Sequence, residues 1–212
     1  MVVANRSRAR RLAVVLIVNL LLVAGLLVVG LSAHSLGVLA EGADYLADAA
    51  AIGVSLLAIW LSNRPPTSAR PDGYRRATVF AALVNGGWLL ILSLLVIVGA
   101  IVRLTAGTRE VQGLPVLIVS GIAAVVMLGC ALVLRGEVDD LDEDDNADLN
   151  MRAVLLDTAA DAAAAGGVAL TGAIIAVSGG LYWLDPTVAL AISAVVAYHA
   201  FRLLRRVVAA LR

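Results

Sequence analysis

Five carboxylates stand out by where they sit. The stretch AEGADYLADAAA, residues 40–51, carries Glu41, Asp44 and Asp48 inside an otherwise apolar run, and NMRAVLLDTAADAAAAGG, residues 150–167, carries Asp157 and Asp161 at the start of another. Residues four apart share one face of a helix, one turn from each other. Asp44 with Asp48, and Asp157 with Asp161, therefore each form a two-carboxylate ledge, and two such helices packed side by side would offer four oxygen donors to one point. Glu41 lies one turn above Asp44 on the same face, which makes it a candidate for an outward pathway. An ionised Asp at the centre of a membrane helix costs about 2.5–3.5 kcal/mol, so four uncompensated ones approach about 10 kcal/mol, as much as a whole domain's stability. No arginine or histidine lies at matching depth in the same two segments. Protons, water or a bound cation remain as the neutralising partner. Metal ligands must be deprotonated to bind, so a cation held here would exchange against protons.

The elements that must position these acids are membrane helices. With 61% hydrophobic and 15% charged residues and a mean hydropathy of +0.97, the chain is too apolar for a soluble domain of its length. Six stretches are long enough to cross about 30 Å of hydrocarbon at about 1.5 Å per residue: Leu12–Ala33, Leu36–Leu61, Ala77–Leu104, Leu114–Leu134, Met151–Val177 and Leu184–Leu204. The first follows basic residues as a secretory signal would, but its apolar run is about twice the usual length of a signal core. The fold class expected is an all-α membrane protein, a six-transmembrane-helix bundle. All sixteen basic residues are arginine, and fourteen fall on the side of the N-terminus, the second and fourth loops and the C-terminal end, against Arg103 and Arg109 on the other. By the positive-inside rule both termini are cytoplasmic. The expected organisation is a basic cytoplasmic N-terminus over 1–11, a transmembrane domain over 12–208 with an acidic cytoplasmic loop at 136–149, and a short tail at 209–212. Within that frame Asp44 and Asp48 lie roughly 12–18 Å below the outer end of span two, and Asp157 and Asp161 roughly 10–15 Å above the inner end of span five. Both pairs are near mid-membrane, where they can meet.

Other residues carry less. Cys130 is the single cysteine, which excludes an intrachain disulfide and any multi-cysteine metal site. His34 is expected at the outer surface. His199, beside Tyr198 on span six, is expected to pack or to hydrogen-bond a neighbouring helix rather than to ligate. The loop RGEVDDLDEDDNADLN has eight acids between Glu137 and Asp148, but Asp145 and Met151 stand where a calcium loop needs its glycine and its bidentate glutamate. It reads as a solvated acidic loop, with weak cation collection as the functional alternative. The run AADAAAAGGVALTGA in span five suits close helix approach, expected against span two, and Gly86 and Gly87 permit a similar crossing in span three. Two acids on separate helices also suit an intramembrane aspartyl protease, but four exceed what a two-Asp acid–base pair needs. A membrane metal-binding subunit that does not transport is a further alternative.

The run SLGVLAEGADYLADA, followed by NRPPT and GYRRATVFAALVN, with LNMRAVLLDTAAD and DPTVALAISAVV later, resembles the membrane domain of the cation diffusion facilitator family over nearly the whole chain. The resemblance implies a six-helix bundle, usually a homodimer, that exchanges divalent metal, commonly zinc, for protons by alternating access. It implies a metal site at Asp44 and Asp48 on span two and Asp157 and Asp161 on span five. Glu41 stands where the family usually has Asp, and Asn19 and Asn85 match polar positions often seen in spans one and three. The implied function is export of zinc from the cytoplasm by a secondary transporter, not an enzyme and without a cofactor, with manganese, iron or cadmium as alternative ions. Its partners would be the lipid bilayer and a second copy, not nucleic acid, and its place a bacterial inner membrane. Three features depart from the family pattern. Position 157 is Asp where zinc members usually have His, and position 44 is also Asp, so the donor set is all oxygen, better suited to manganese or iron, although zinc binds a given divalent site more tightly than manganese. The loop between spans four and five is acidic rather than histidine-rich. The chain stops at Arg212 with no C-terminal metal-binding domain, as in a short subgroup or a shortened chain, so a dimer would be held largely by membrane helices.

Overall fold

Long apolar segments separated by glycine, proline and charged residues become six helices in the computed structural model: α1 Val2–Ser32, α2 Leu36–Ser62, α3 Arg75–Ala106, α4 Gly113–Asp139, α5 Asp145–Ser178 and α6 Leu184–Leu211. The structure describes residues 2–62, 75–139 and 145–211; within these, side chains are not described at 2–15, 51–52, 54–62, 75–82, 134, 136–139, 145–154, 157, 206 and 210–211. The NRPPT loop and the centre of the acidic segment, 140–144, lie outside the described residues. The rest of that segment belongs to the end of α4 and the start of α5. α1 begins ten residues before the expected span, because arginine-rich sequence is a good helix former even where it is too polar for hydrocarbon.

Among the described residues, Leu83–Ala106, Gly113–Val133, Thr158–Ser178 and Leu184–Ala209 are long and apolar enough to cross a membrane, with Leu16–Ser32 a shorter apolar helix. Their outward faces confirm the solvent. On α3 the residues Val84, Trp88, Ile91, Leu95, Val98 and Val102 are all exposed, a continuous stripe at helical spacing that water would penalise and lipid accepts. α1, α4, α5 and α6 also expose large apolar residues, whereas none is exposed on the described part of α2. α2 is the central helix, packed on α1, α3, α5 and α6. It contributes Val38 and Tyr45 to a core shared with α1, α4 and α5, and Leu36 and Ala40 to a second core with α3 and α6.

Three turns gather at one end of the bundle, opposite the termini. Ser35 N–H donates to Gly30 C=O while His34 adopts φ 57°, a Schellman ending to α1 with His34 in the left-handed position usually taken by glycine. Gln112 N–H donates to Ala33 C=O, and the Arg103 guanidinium donates to His34 C=O. Gly179 at φ 60° ends α5, its N–H donating to Ile175 C=O.

The start of α2 is capped from two helices. Val38 N–H donates to Ser35 Oγ at 3.1 Å. Leu36 N–H donates to Asp185 Oδ2 at 2.7 Å, and Gly37 N–H to Asp185 Oδ1 at 3.1 Å. The Ser35 hydroxyl donates to the same carboxylate. Leu39 N–H reaches Ser35 C=O at 3.4 Å, so each of the first four N–H groups of α2 has an acceptor. Asp185 is 1% exposed, with Arg103 Nη1 3.7 Å from it, and its charge lies at the positive end of the α2 dipole. The first turn of α6 is thereby fastened to the first turn of α2.

α5 packs most extensively on α4, α3 on α6, and α1 on α2, whereas α2 and α5 meet only narrowly. Of the small-residue run of α5, Gly172 packs on α4 while Ala160 and Ala164 line the cavity, so the run does not make the tight contact with α2 that was expected. A Cβ on Gly172 would come 2.6 Å from Leu117 N and 2.8 Å from Gly113 O, and a Cβ on Gly113 would come 2.5 Å from Gly172 O. Gly86 makes a similar crossing against Leu204 of α6, while Gly87 faces open space.

Candidate metal site

Where α2, α3, α5 and α6 diverge, they leave a cavity of about 520 Å³. Asp44 and Asp48 of α2, Asn85 of α3, Asp161 of α5 and His199 of α6 line it, between small residues such as Ala47, Ala160, Ala164 and Ala191. The ledge geometry explains the first pair: Asp44 and Asp48 are one turn apart on the half-buried face of a helix whose other faces are taken by neighbours. Asp161 arrives from the narrow α2–α5 contact. Asp157 is one turn before Asp161 in α5, with its side chain outside the described residues.

The cavity can accept a hydrated ion. Water occupies about 30 Å³ per molecule in the liquid, so an ion with its first shell fits with room to move. Among the described residues, no three His, Cys, Asp or Glu side chains stand close enough together to hold a metal. The acids thus surround the space rather than converge in it. Asp44, Asp48 and Asp161 each have an interaction partner.

A second polar group lies deeper in the packing. Glu41 is 1% exposed and its Oε2 accepts the Ser120 hydroxyl of α4 at 2.6 Å. Glu41 Oε1, the Tyr45 hydroxyl one turn on and Asn19 Oδ1 of α1 are buried without a hydrogen-bonding partner among the described residues. Tyr45 follows Glu41 by one turn and Asp44 by one residue on α2. Buried groups of this kind hold water or protons when they function.

Of the polar residues singled out from the sequence, Asp44, Asp48, Asp161 and Asn85 share the cavity, while Asn19 and Glu41 are buried away from its lining. His34 is exposed, as expected. His199 lines the cavity as well, packed with its ring 5.8 Å from that of Tyr198 and inclined by 50°. The signal was in the α6 pattern, where Ile192, Val196, His199 and Leu203 recur at intervals of four, three and four, so the histidine belongs to the inward face. Ser120 and Asp185 were not singled out at all.

The profile of the cation efflux transmembrane domain matches residues 12–211. The chain is 29% identical over 200 residues to zinc transporter ZitB of Yersinia pseudotuberculosis, covering 94% of this chain and 61% of that protein. It is 32% identical over 178 residues to zinc transporter ZitB of Escherichia coli, covering 83% and 54%. It is 37% identical over 131 residues to the human proton-coupled zinc antiporter SLC30A2, covering 59% and 34%. The chain thus spans less than two thirds of the length of each of these relatives. A profile match running from the first apolar residues of α1 to the end of α6 takes in all the elements that build the cavity, and the chain belongs to the cation efflux family, the cation diffusion facilitators.

Proposed function

We propose that the chain is the membrane part of a secondary transporter that exports zinc, or a similar first-row divalent ion, from the cytoplasm in exchange for protons. The observation that carries this reading is the shared cavity, where Asp44 and Asp48 from α2 and Asp161 from α5 face one space. Asp157 completes the proposed ligand set. Four carboxylates carry more charge than a divalent ion neutralises, so part of the set holds protons when the metal is absent and releases them as it arrives. The relatives named as zinc transporters and as a proton-coupled zinc antiporter support the same cargo and coupling.

The grouping of the helices supports alternating access as the mechanism. α4 and α5 are clasped at Gly113 and Gly172, α2 and α6 are tied through Asp185, and α2 touches α5 only narrowly. The acids therefore belong to two groups meeting at a seam, and a relative shift opens the site to one side or the other. Glu41, one turn outward of Asp44 on α2, supplies with the buried Tyr45 and Asn19 the outward route for protons. The arginine distribution supports cytoplasmic termini, and the bacterial ZitB relatives support an inner-membrane location. A homodimer would use the lipid-facing helices.

An all-carboxylate set favours manganese or iron as the second reading. The test is uptake into sealed vesicles: zinc enters against an imposed proton gradient, and Asp48→Ala or Asp161→Ala abolishes it. Wild-type rates in both variants would refute the site, and uptake of manganese but not zinc would select the second reading.

A further inference from the structure

The acids of α2 and α5 offer oxygen alone, yet the cavity they line also holds an imidazole. Asp185 makes its depth calculable. Because its carboxylate accepts the N–H groups of Leu36 and Gly37, the first turns of α2 and α6 lie at one level, and both helices run in the same direction from there. At about 1.5 Å per residue, Asp44 lies about 12 Å, Asp48 about 18 Å and His199 about 21 Å along their axes from that level. Asp48 and His199 are thus within one helical turn of each other in depth, on two helices that pack together, and both line the same cavity. Among the described residues the His199 ring packs on that of Tyr198, and an exposed side chain of this kind changes rotamer within nanoseconds.

We propose that His199 is the nitrogen ligand of the transported ion, joining Asp48 and the neighbouring carboxylates when the ion sheds its water. Imidazole suits zinc, and carboxylates alone suit harder ions. His199 therefore sets the preference for zinc over manganese. This proposal rests on the reading of the cavity as the transport site.

The test is zinc and manganese titration of the detergent-solubilised full chain, with X-ray absorption at the zinc edge. Wild type shows imidazole scattering around zinc. In His199→Ala that signature disappears and zinc binding weakens by about 10- to 100-fold, while manganese binding changes far less. His199→Cys, which restores a zinc donor, recovers zinc binding. An unchanged zinc spectrum and affinity in His199→Ala would overturn the proposal, as would equal losses for both metals. Asp48→Ala in the same preparation separates the two ideas. If it abolishes zinc binding while His199→Ala does not, the carboxylate site stands and His199 is excluded. If neither variant affects binding, the transport-site reading fails with it.

Discussion

Replacing Asp185 by alanine removes three acceptor interactions at once. Leu36 N–H at 2.7 Å, Gly37 N–H at 3.1 Å and the Ser35 hydroxyl lose their partner at a position only 1% exposed, where water does not replace it. A buried donor left unpaired costs about 1–3 kcal/mol, and breaking a buried charge interaction about 3–5 kcal/mol. Since these overlap, the expected loss is about 3–5 kcal/mol. Asp185→Asn keeps one acceptor oxygen and loses about half as much. Arg103→Ala costs about 1–2 kcal/mol, because its 3.7 Å contact with Asp185 and its donation to His34 C=O are made by a side chain 20% exposed. For a chain of this size each kcal/mol moves the unfolding midpoint by about 2–4 °C. Thermal unfolding in detergent should then show Asp185→Ala lowered by about 6–20 °C, with Asp185→Asn between it and wild type. A midpoint within about 2 °C of wild type, or a larger loss in Arg103→Ala, would refute the view that this carboxylate ties α6 to α2.

Gly172→Val should destabilise the α4–α5 pair by at least about 1–3 kcal/mol, the usual cost of overpacking, whereas Gly87→Ala, facing open space, should leave the midpoint unchanged; equal midpoints would show that the glycine clasp is dispensable. Glu41→Gln should keep the Ser120 contact and the fold but slow proton-coupled zinc uptake at least about tenfold, and a wild-type rate would limit Glu41 to packing. Ser120→Ala should cost about 1–3 kcal/mol, the range for leaving a buried acceptor such as Glu41 Oε2 unpaired, by the same thermal assay. In a metal-competition series, zinc should displace manganese from the vesicle uptake reaction; the reverse would assign the oxygen donors the dominant role.

Six helices were legible in the chain because an apolar run of membrane length has few alternatives, and the DxxxD spacing alone put Asp44 with Asp48 and Asp157 with Asp161 on common faces. What the sequence could not carry was the choice of neighbour. The small residues of α5 advertise close approach without saying to what, and the structure sets Gly172 against α4. His199 is one polar residue in an apolar helix, and only tertiary packing decides that its face lines the cavity. The Asp185 cap joins residues about 150 positions apart, beyond any local pattern. Span bounds and helix ends differ for a physical reason: hydropathy reports the hydrocarbon boundary, whereas α1 extends beyond it through arginines that favour helix.

The absence of a lipid-facing apolar stripe on the described part of α2 bears on how the protein is made. With Glu41, Asp44 and Asp48 adding about 2.5–3.5 kcal/mol apiece near the centre, this segment is a poor independent substrate for the translocon. The three-residue turn Ala33–Ser35 and the long contact with α1 make α1 and α2 a helical hairpin, in which the first segment covers one side of the second and lowers the cost of inserting the two together.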